Sequence, residues 1–423
     1  MQHIRDSLFF VTTTVLALVV RTLASVGQPV ARFPDSVGYE TLRLWGTVDR
    51  FWPVPLMYSI LQSDVSRVVG HIVIGVAAWT WLAYATSRLS QWSKSSFAAI
   101  MLLGLTPQVI RYDIALLSES FGISFTVAAI AATMQVLISR TRVSLFVWAG
   151  AVVVAAMVRP THLIILVIAI CVVAVSAIRT RQKDATIVAV VLTASVFFGL
   201  VQLRGHGPTS LLNFYTVLAE RVMPNDDRYE WFVARGMPDI EATRTATGYD
   251  YDYELPVDVA DIVALPVGQQ PPTLMRVGGV DLARWADDDG WRHYVTYVVT
   301  HPGDTASRVI DLFDSTIGAR SSKFLPLDNG PMIPWFLFQW WQFWIVLLGL
   351  GLIGHYFFSP TRRMGHIIMV MTALTAVIYS ATVLTSGIEH PRHAVTMSVV
   401  LRVIAIVSIA TVSIRPQASQ KTT

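Results

Sequence analysis

Residues 161–178 read THLIILVIAICVVAVSAI, eighteen positions without one charged side chain. A run of that length and composition is far too long for a buried strand and fits a helix that crosses a membrane. It is one of a series. Comparable runs lie at roughly 7–26, 68–86, 95–110, 114–138, 144–158, 185–203, 334–357, 365–385 and 394–414, giving ten candidate spans in all. The pattern predicts an all-α polytopic membrane protein. The fifth and sixth spans form a tight hairpin around Arg159-Pro160-Thr161. Only Arg111-Tyr112-Asp113 separates the third from the fourth, so that hairpin is expected to be partly re-entrant.

Composition points the same way. The chain is 53% hydrophobic and 14% charged, with a mean hydropathy of +0.54, whereas a soluble domain carries about 25% charged residues. A net charge of +4 is no nucleic-acid signal, because the basic residues are scattered through short loops. The one cysteine, Cys171, lies inside the opening run; it excludes an intrachain disulfide and a cysteine-rich metal site. The N-terminal stretch, with no small-residue cleavage site, reads as a retained first helix rather than a removed signal.

Lys and Arg orient the spans. With the N-terminus inside, the inner segments carry Arg5, Arg88, Lys94, Arg140, Arg142, Arg179, Arg181, Lys183, Arg362, Arg363, Arg415 and Lys421 against two acids, Asp6 and Asp184. Both termini are therefore expected in the cytoplasm of a cell that holds this protein in its plasma membrane. Residues 204–333 then form one large outer segment with 19 of the chain's 28 acids and 11 of its 32 bases. Structureless loops of such length are rare in compact proteins, so a small helical or mixed subdomain is expected. From Trp291 to Phe313 apolar residues recur at helical spacing, broken at His301-Pro302-Gly303, which predicts two amphipathic helices in the interface. The organisation read from this is an N-terminal transmembrane module (1–203, with a first outer loop at 27–67), the outer segment (204–333) and C-terminal transmembrane helices (334–423).

Polar residues gather at the outer helix ends: Asp35, Asp49, Arg111, Asp113, Glu119, Arg159, His162, Glu389, His390, Arg392 and His393. Charges beside spans are costly and tend to be functional or paired. Each also has a plainer reading. Asp35 suits a helix cap or a solvated loop charge. Arg159-Pro160 suits a helix stop with a snorkelling arginine, Glu119 a hydrogen bond between helices, and Arg392 a local ion pair. Arg402 lies about nine residues into the last span and needs an internal partner. The aromatic run Pro334 to Trp344 suits an interfacial anchor, or a wall that stacks on a sugar. No ligand spacing points to a metal, and no Gly-rich loop points to a nucleotide.

Five short motifs, in chain order, resemble the GT-C superfamily of integral membrane glycosyltransferases. The likeness is to bacterial members of the protein-mannosyltransferase and aminoarabinose-transferase type. Pro34-Asp35-Ser36 to Tyr39 is similar to the acidic motif of the family's first outer loop. Thr106-Pro107 followed by Leu117-Ser118-Glu119-Ser120 resembles its proline-then-Glu pattern, and Val158-Arg159-Pro160-Thr161 its Arg-Pro motif. His301-Pro302-Gly303 and Glu389 to His393 resemble its late His-Pro and Arg-containing outer loop. The chain departs from larger members in lacking a C-terminal soluble domain, and Asp49 and Asp113 compete for the second acidic position.

That resemblance implies a bundle of about ten transmembrane helices with extracytoplasmic amphipathic helices. It implies a sugar donor on a polyprenyl phosphate, an extracytoplasmic acceptor (glycolipid, cell-wall glycan or protein), and no cofactor. Asp35 would be the general base, with Glu119 beside it in the catalytic set. Substrate would be bound by Tyr39, Asp49, Arg111, Asp113, Arg159, His301, Glu389, Arg392 and His393, the arginines meeting the phosphate. The Arg-rich, Lys-poor composition, 28 to 4, and the Ala- and Val-rich spans suggest a high-GC bacterial source, for which the resemblance implies an arabinosyl or mannosyl donor. Two other classes share the polytopic pattern. A lipid-linked oligosaccharide ligase or polymerase would use the same lipid. A lipid or solute transporter would instead gather its charges at the midplane of repeated halves.

Overall fold

The computed structural model describes residues 2–33, 35–180, 182–241, 243, 273–318, 338–358, 361–387 and 390–412. Among these the protein is all-α, without an extended strand, and a parallel bridge joins Ala31 to Ala115. Among the described residues, six helices are long and apolar enough to cross a membrane. The pair Ser93–Gly104 and Pro107–Ile114, bent by 51°, makes a seventh span if taken together, and Arg142–Ala156, Trp341–Phe357 and Val395–Thr411 are shorter apolar helices. With no water in the bilayer core, a helix is the one open structure that satisfies its own backbone groups, so long apolar runs leave no alternative.

The bend between Ser93–Gly104 and Pro107–Ile114 has a physical origin. Pro107 cannot continue the preceding helix, and the chain passes through short turns at Pro107–Ile110 and Arg111–Ile114 before the next helix opens at Glu119. The fourth span thus begins five residues later than the apolar pattern places it. Glu119 is its first residue rather than an interior one. The eighth span likewise begins at Trp341, and Pro334 to Leu337 lie outside the described residues.

Arg21, near the C-terminal end of Gln2–Ser25, is buried and gives both its Nε and an Nη to Asp113, each at 2.8 Å. Ser120 Oγ adds a third bond to that carboxylate at 2.8 Å. Gly75 lies under the guanidinium, where a Cβ would stand 2.5 Å from an Arg21 nitrogen. This pair fastens the first helix to the broken segment.

Arg402 is fully buried in Val395–Thr411 and meets no carboxylate among the described residues. Its guanidinium donates to Phe338 O at 2.9 Å, Ser398 O at 2.7 Å and Ile317 O at 2.8 Å, and lies 3.8 Å above the Phe338 ring. The internal partners it needs are backbone carbonyls. Arg402→Met would strand those acceptors in an apolar interior, and unsatisfied buried polar groups cost about 1–3 kcal/mol each. The expected result is a loss of roughly 2–4 kcal/mol in a denaturant titration in detergent, with Arg402→Lys recovering only part because one ammonium cannot reach all three carbonyls.

The described part of the 204–333 segment is helical. Gly207–Val217, Asp226–Val233 and Thr273–Trp285 pack with Trp291–Thr300 around Phe214, Phe232, Trp285, Tyr294 and Tyr297. The expected break at His301 separates Trp291–Thr300 from Pro302–Asp311.

Candidate active site

The loop after the first helix folds back onto the broken segment. Across the bridge the Ala31 N–H donates to Ile114 O at 2.9 Å and the Leu116 N–H donates to Ala31 O at 3.0 Å, and Ser36 Oγ donates to Leu116 O at 2.8 Å. These contacts hold the short helix Ser36–Glu40 in place. Asp35 stands at its N-cap position but makes no side-chain cap bond. The capping reading therefore fails, and the carboxylate points elsewhere.

Asp35 lies between two guanidiniums. Arg50 Nη2 donates to Oδ1 at 2.7 Å and Arg392 Nη2 donates to Oδ2 at 2.6 Å. Its side chain is 31% exposed, against 12% for Arg50 and 8% for Arg392. Partial burial alone would raise its pKa, but Arg50 and Arg392 more than reverse that and hold it well below the usual carboxylate range. Arg392 also sets its Nε 3.0 Å from Glu119 Oε1, and Arg159 Nη2 reaches the same oxygen at 2.6 Å. Arg159 is fixed further by His393 O at 2.9 Å. The result is a chain of alternating charge, Arg50–Asp35–Arg392–Glu119–Arg159, drawn from the first loop, the start of Glu119–Ser139, the Arg159 turn and the short helix His390–His393. It holds three guanidiniums and two carboxylates, an excess of one positive charge. His393 hydrogen-bonds Ser386 Oγ, and burial followed by the nearby Arg392 and Arg159 pushes its pKa down, so its ring stays neutral.

Of the sequence-derived site residues, Asp35, Glu119, Arg159, Arg392 and His393 come together here. Tyr39 is buried beneath Arg50, its ring centroid 5.2 Å from the guanidinium carbon. Asp49 contributes its carbonyl, which accepts from Arg50 at 3.0 Å. Asp113 sits behind the cluster, fully buried and committed to Arg21 and Ser120. Arg111 is buried beside the Tyr112 ring and makes no ion pair with a described carboxylate. His301 stacks on Tyr297 at 4.2 Å and meets Trp231 edge-on, with no described contact to the charge chain. Glu389 lies outside the described residues.

Arg50 and Arg21 escape a reading by sequence. The same loop after the first helix also carries Arg32, Arg43 and Arg67, and nothing local ranks Arg50 above them. Arg32 and Arg67 in fact form a separate surface network with Glu40 and Asp64. Among the described residues, no group of three or more His, Cys, Asp and Glu side chains is placed to hold a metal ion.

No family model matches the chain, and no curated protein matches it. Among solved structures, it is similar to the archaeal oligosaccharyltransferase AglB from Archaeoglobus fulgidus, determined in complex with an inhibitory peptide and a dolichol-phosphate. The two are 12% identical with a TM-score of 0.44, over 95% of this chain and 50% of that one. This chain thus spans about half the length of that protein.

Proposed function

We propose that the protein is a glycosyltransferase that moves a single sugar from a polyprenyl-phosphate donor to an extracytoplasmic acceptor. The observation that carries this reading is the charge chain at the helix ends: a carboxylate and an excess guanidinium side by side. A lipid monophosphate supplies the anion that the excess positive charge lacks, and guanidinium binds it through paired hydrogen bonds. Asp35 then takes the proton of the acceptor hydroxyl. That oxygen forms a bond to the anomeric carbon while the bond to the phosphate oxygen breaks, and the electron pair leaves on the polyprenyl phosphate. One displacement of this kind inverts the anomeric centre and needs no covalent nucleophile. Glu119 holds Arg159 and Arg392 and acts in this scheme as a positioning residue.

The transporter reading expects its charges at mid-membrane. Here Glu119 is the first residue of its helix, Arg159 lies between helices and Arg392 precedes the last one, which favours chemistry at the edge. Mass spectrometry of cell-envelope glycans and glycoproteins, with and without the gene, tests the reading. A glycan or glycoprotein that loses one sugar residue is the expected result, and unchanged envelope glycans would defeat it.

The reading also requires the charge chain to face outward. In a Cys171→Ser background, a cysteine at Ser210 is expected to react with an impermeant maleimide on intact cells and one at Ser359 to stay unlabelled. The reverse pattern would put Asp35 on the cytoplasmic side and sink the scheme.

A further inference from the structure

Arg392 is shared and Arg50 is not. Arg392 comes from the far end of the chain and spans Asp35 and Glu119. If it turns away, Asp35 keeps Arg50 at 2.7 Å and Glu119 keeps Arg159 at 2.6 Å. Each carboxylate then retains a guanidinium of its own. If Arg50 or Arg159 leaves instead, Arg392 must serve both acids. Arg50 is also clamped from three sides within its own loop. The Asp49 carbonyl accepts from Nη1, the Tyr39 ring lies beneath, and its Cγ is close enough to Gly38 that an added Cβ would stand 3.3 Å away.

We propose that Arg50 is a positioning residue for the transfer reaction: it stays on Asp35 Oδ1 while Arg392 turns to the lipid phosphate and uncovers Oδ2 for the acceptor hydroxyl. This inference rests on the donor reading above. It answers a difficulty in that reading, since each oxygen of the resting base already accepts from a guanidinium, which lowers its hold on a proton. Loss of one of its two cations also raises the proton affinity of Asp35, in the direction a base requires.

Two measurements test it on the full chain in nanodiscs. The first is binding of a C55 polyprenyl monophosphate. Arg392→Gln is expected to weaken it at least about tenfold, the loss of a charged hydrogen-bonded contact. Arg50→Gln should weaken it clearly less than Arg392→Gln does, because Arg50 does not touch the phosphate and acts only by leaving Arg392 to serve both acids. The second is the pH dependence with which a hydrophobic carbodiimide, which reacts with protonated carboxyls, modifies Asp35, read by peptide mass spectrometry. Arg50→Gln should move the midpoint upward by about one pH unit or more, and Arg50→Lys should return it towards wild type. Should Arg50→Gln not fold, Tyr39→Leu removes the ring beneath the guanidinium and should shift the midpoint the same way. An Arg50→Gln protein that loses lipid binding as Arg392→Gln does would make Arg50 a phosphate ligand and overturn the inference. An unchanged labelling midpoint in a protein that still binds the lipid would overturn it too. A wild-type protein that binds no polyprenyl monophosphate would defeat the donor reading itself, and with it any role of Arg50 in transfer.

Discussion

Asp35→Asn is expected to lower sugar transfer by about 100- to 10,000-fold, the usual span for a lost general base, while donor binding stays the same or tightens. The second half is the discriminating one. Asparagine keeps the size and much of the hydrogen bonding of aspartate but cannot take the proton. It also removes one of the two negative charges facing Arg50, Arg392 and Arg159, so the excess positive charge rises from one to two. A lipid phosphate should meet a more attractive site. Transfer within about threefold of wild type would remove Asp35 from the role of base. Lost transfer together with lost donor binding would point to collapse of the charge chain instead. Melting temperature separates these cases, because two buried guanidiniums left without Asp35 cost stability even where the fold survives.

Arg392→Ala carries the second large effect. A guanidinium that holds phosphate oxygens through charged hydrogen bonds contributes roughly 1.5–3 kcal/mol, so donor affinity should fall about 10- to 150-fold. Arg392→Lys should recover only part, since an ammonium is a point charge without the planar fork. Arg159→Ala should weaken binding as well, but less. Arg159 is tied to Glu119 and to the His393 carbonyl, and its main effect passes through the position of Arg392. Equilibrium binding of the polyprenyl monophosphate, paired with thermal melting, checks both. Reduced stability with unchanged affinity in the folded fraction would mean that these arginines only hold helices together.

The resting pairing of Asp35 also has a pH signature. Its carboxylate pKa is depressed in the fold, so the pairing stabilises the protein above the ordinary aspartate value and fades only as pH falls towards the depressed one. Melting curves of wild type and Asp35→Asn should therefore converge only under strongly acidic conditions. Convergence near neutral pH would contradict the ion pairs.

The helices were legible in the linear chain. An apolar stretch such as 161–178 has one stable backbone choice in a bilayer, because every amide must find its partner inside the segment. Pro107, Pro160 and Pro302 mark breaks for an equally local reason: a proline lacks the donor that a helix interior requires. Sequence also pointed to Asp35, Glu119, Arg159 and Arg392 as polar groups at helix ends. It could not say what each one touches. Asp35 and Arg392 are 357 positions apart, and their pairing depends on how the first loop and the last outer turn pack across Glu119–Ser139. The same holds for Arg50, one loop arginine among several until Tyr39 and Asp49 clamp it beside Asp35, and for Arg402, whose partners are carbonyls on two other segments. Helix formation follows from residues within one or two turns, whereas the partner of a charge is whatever the tertiary packing brings within 3 Å of it, and that decided which of these residues form the site.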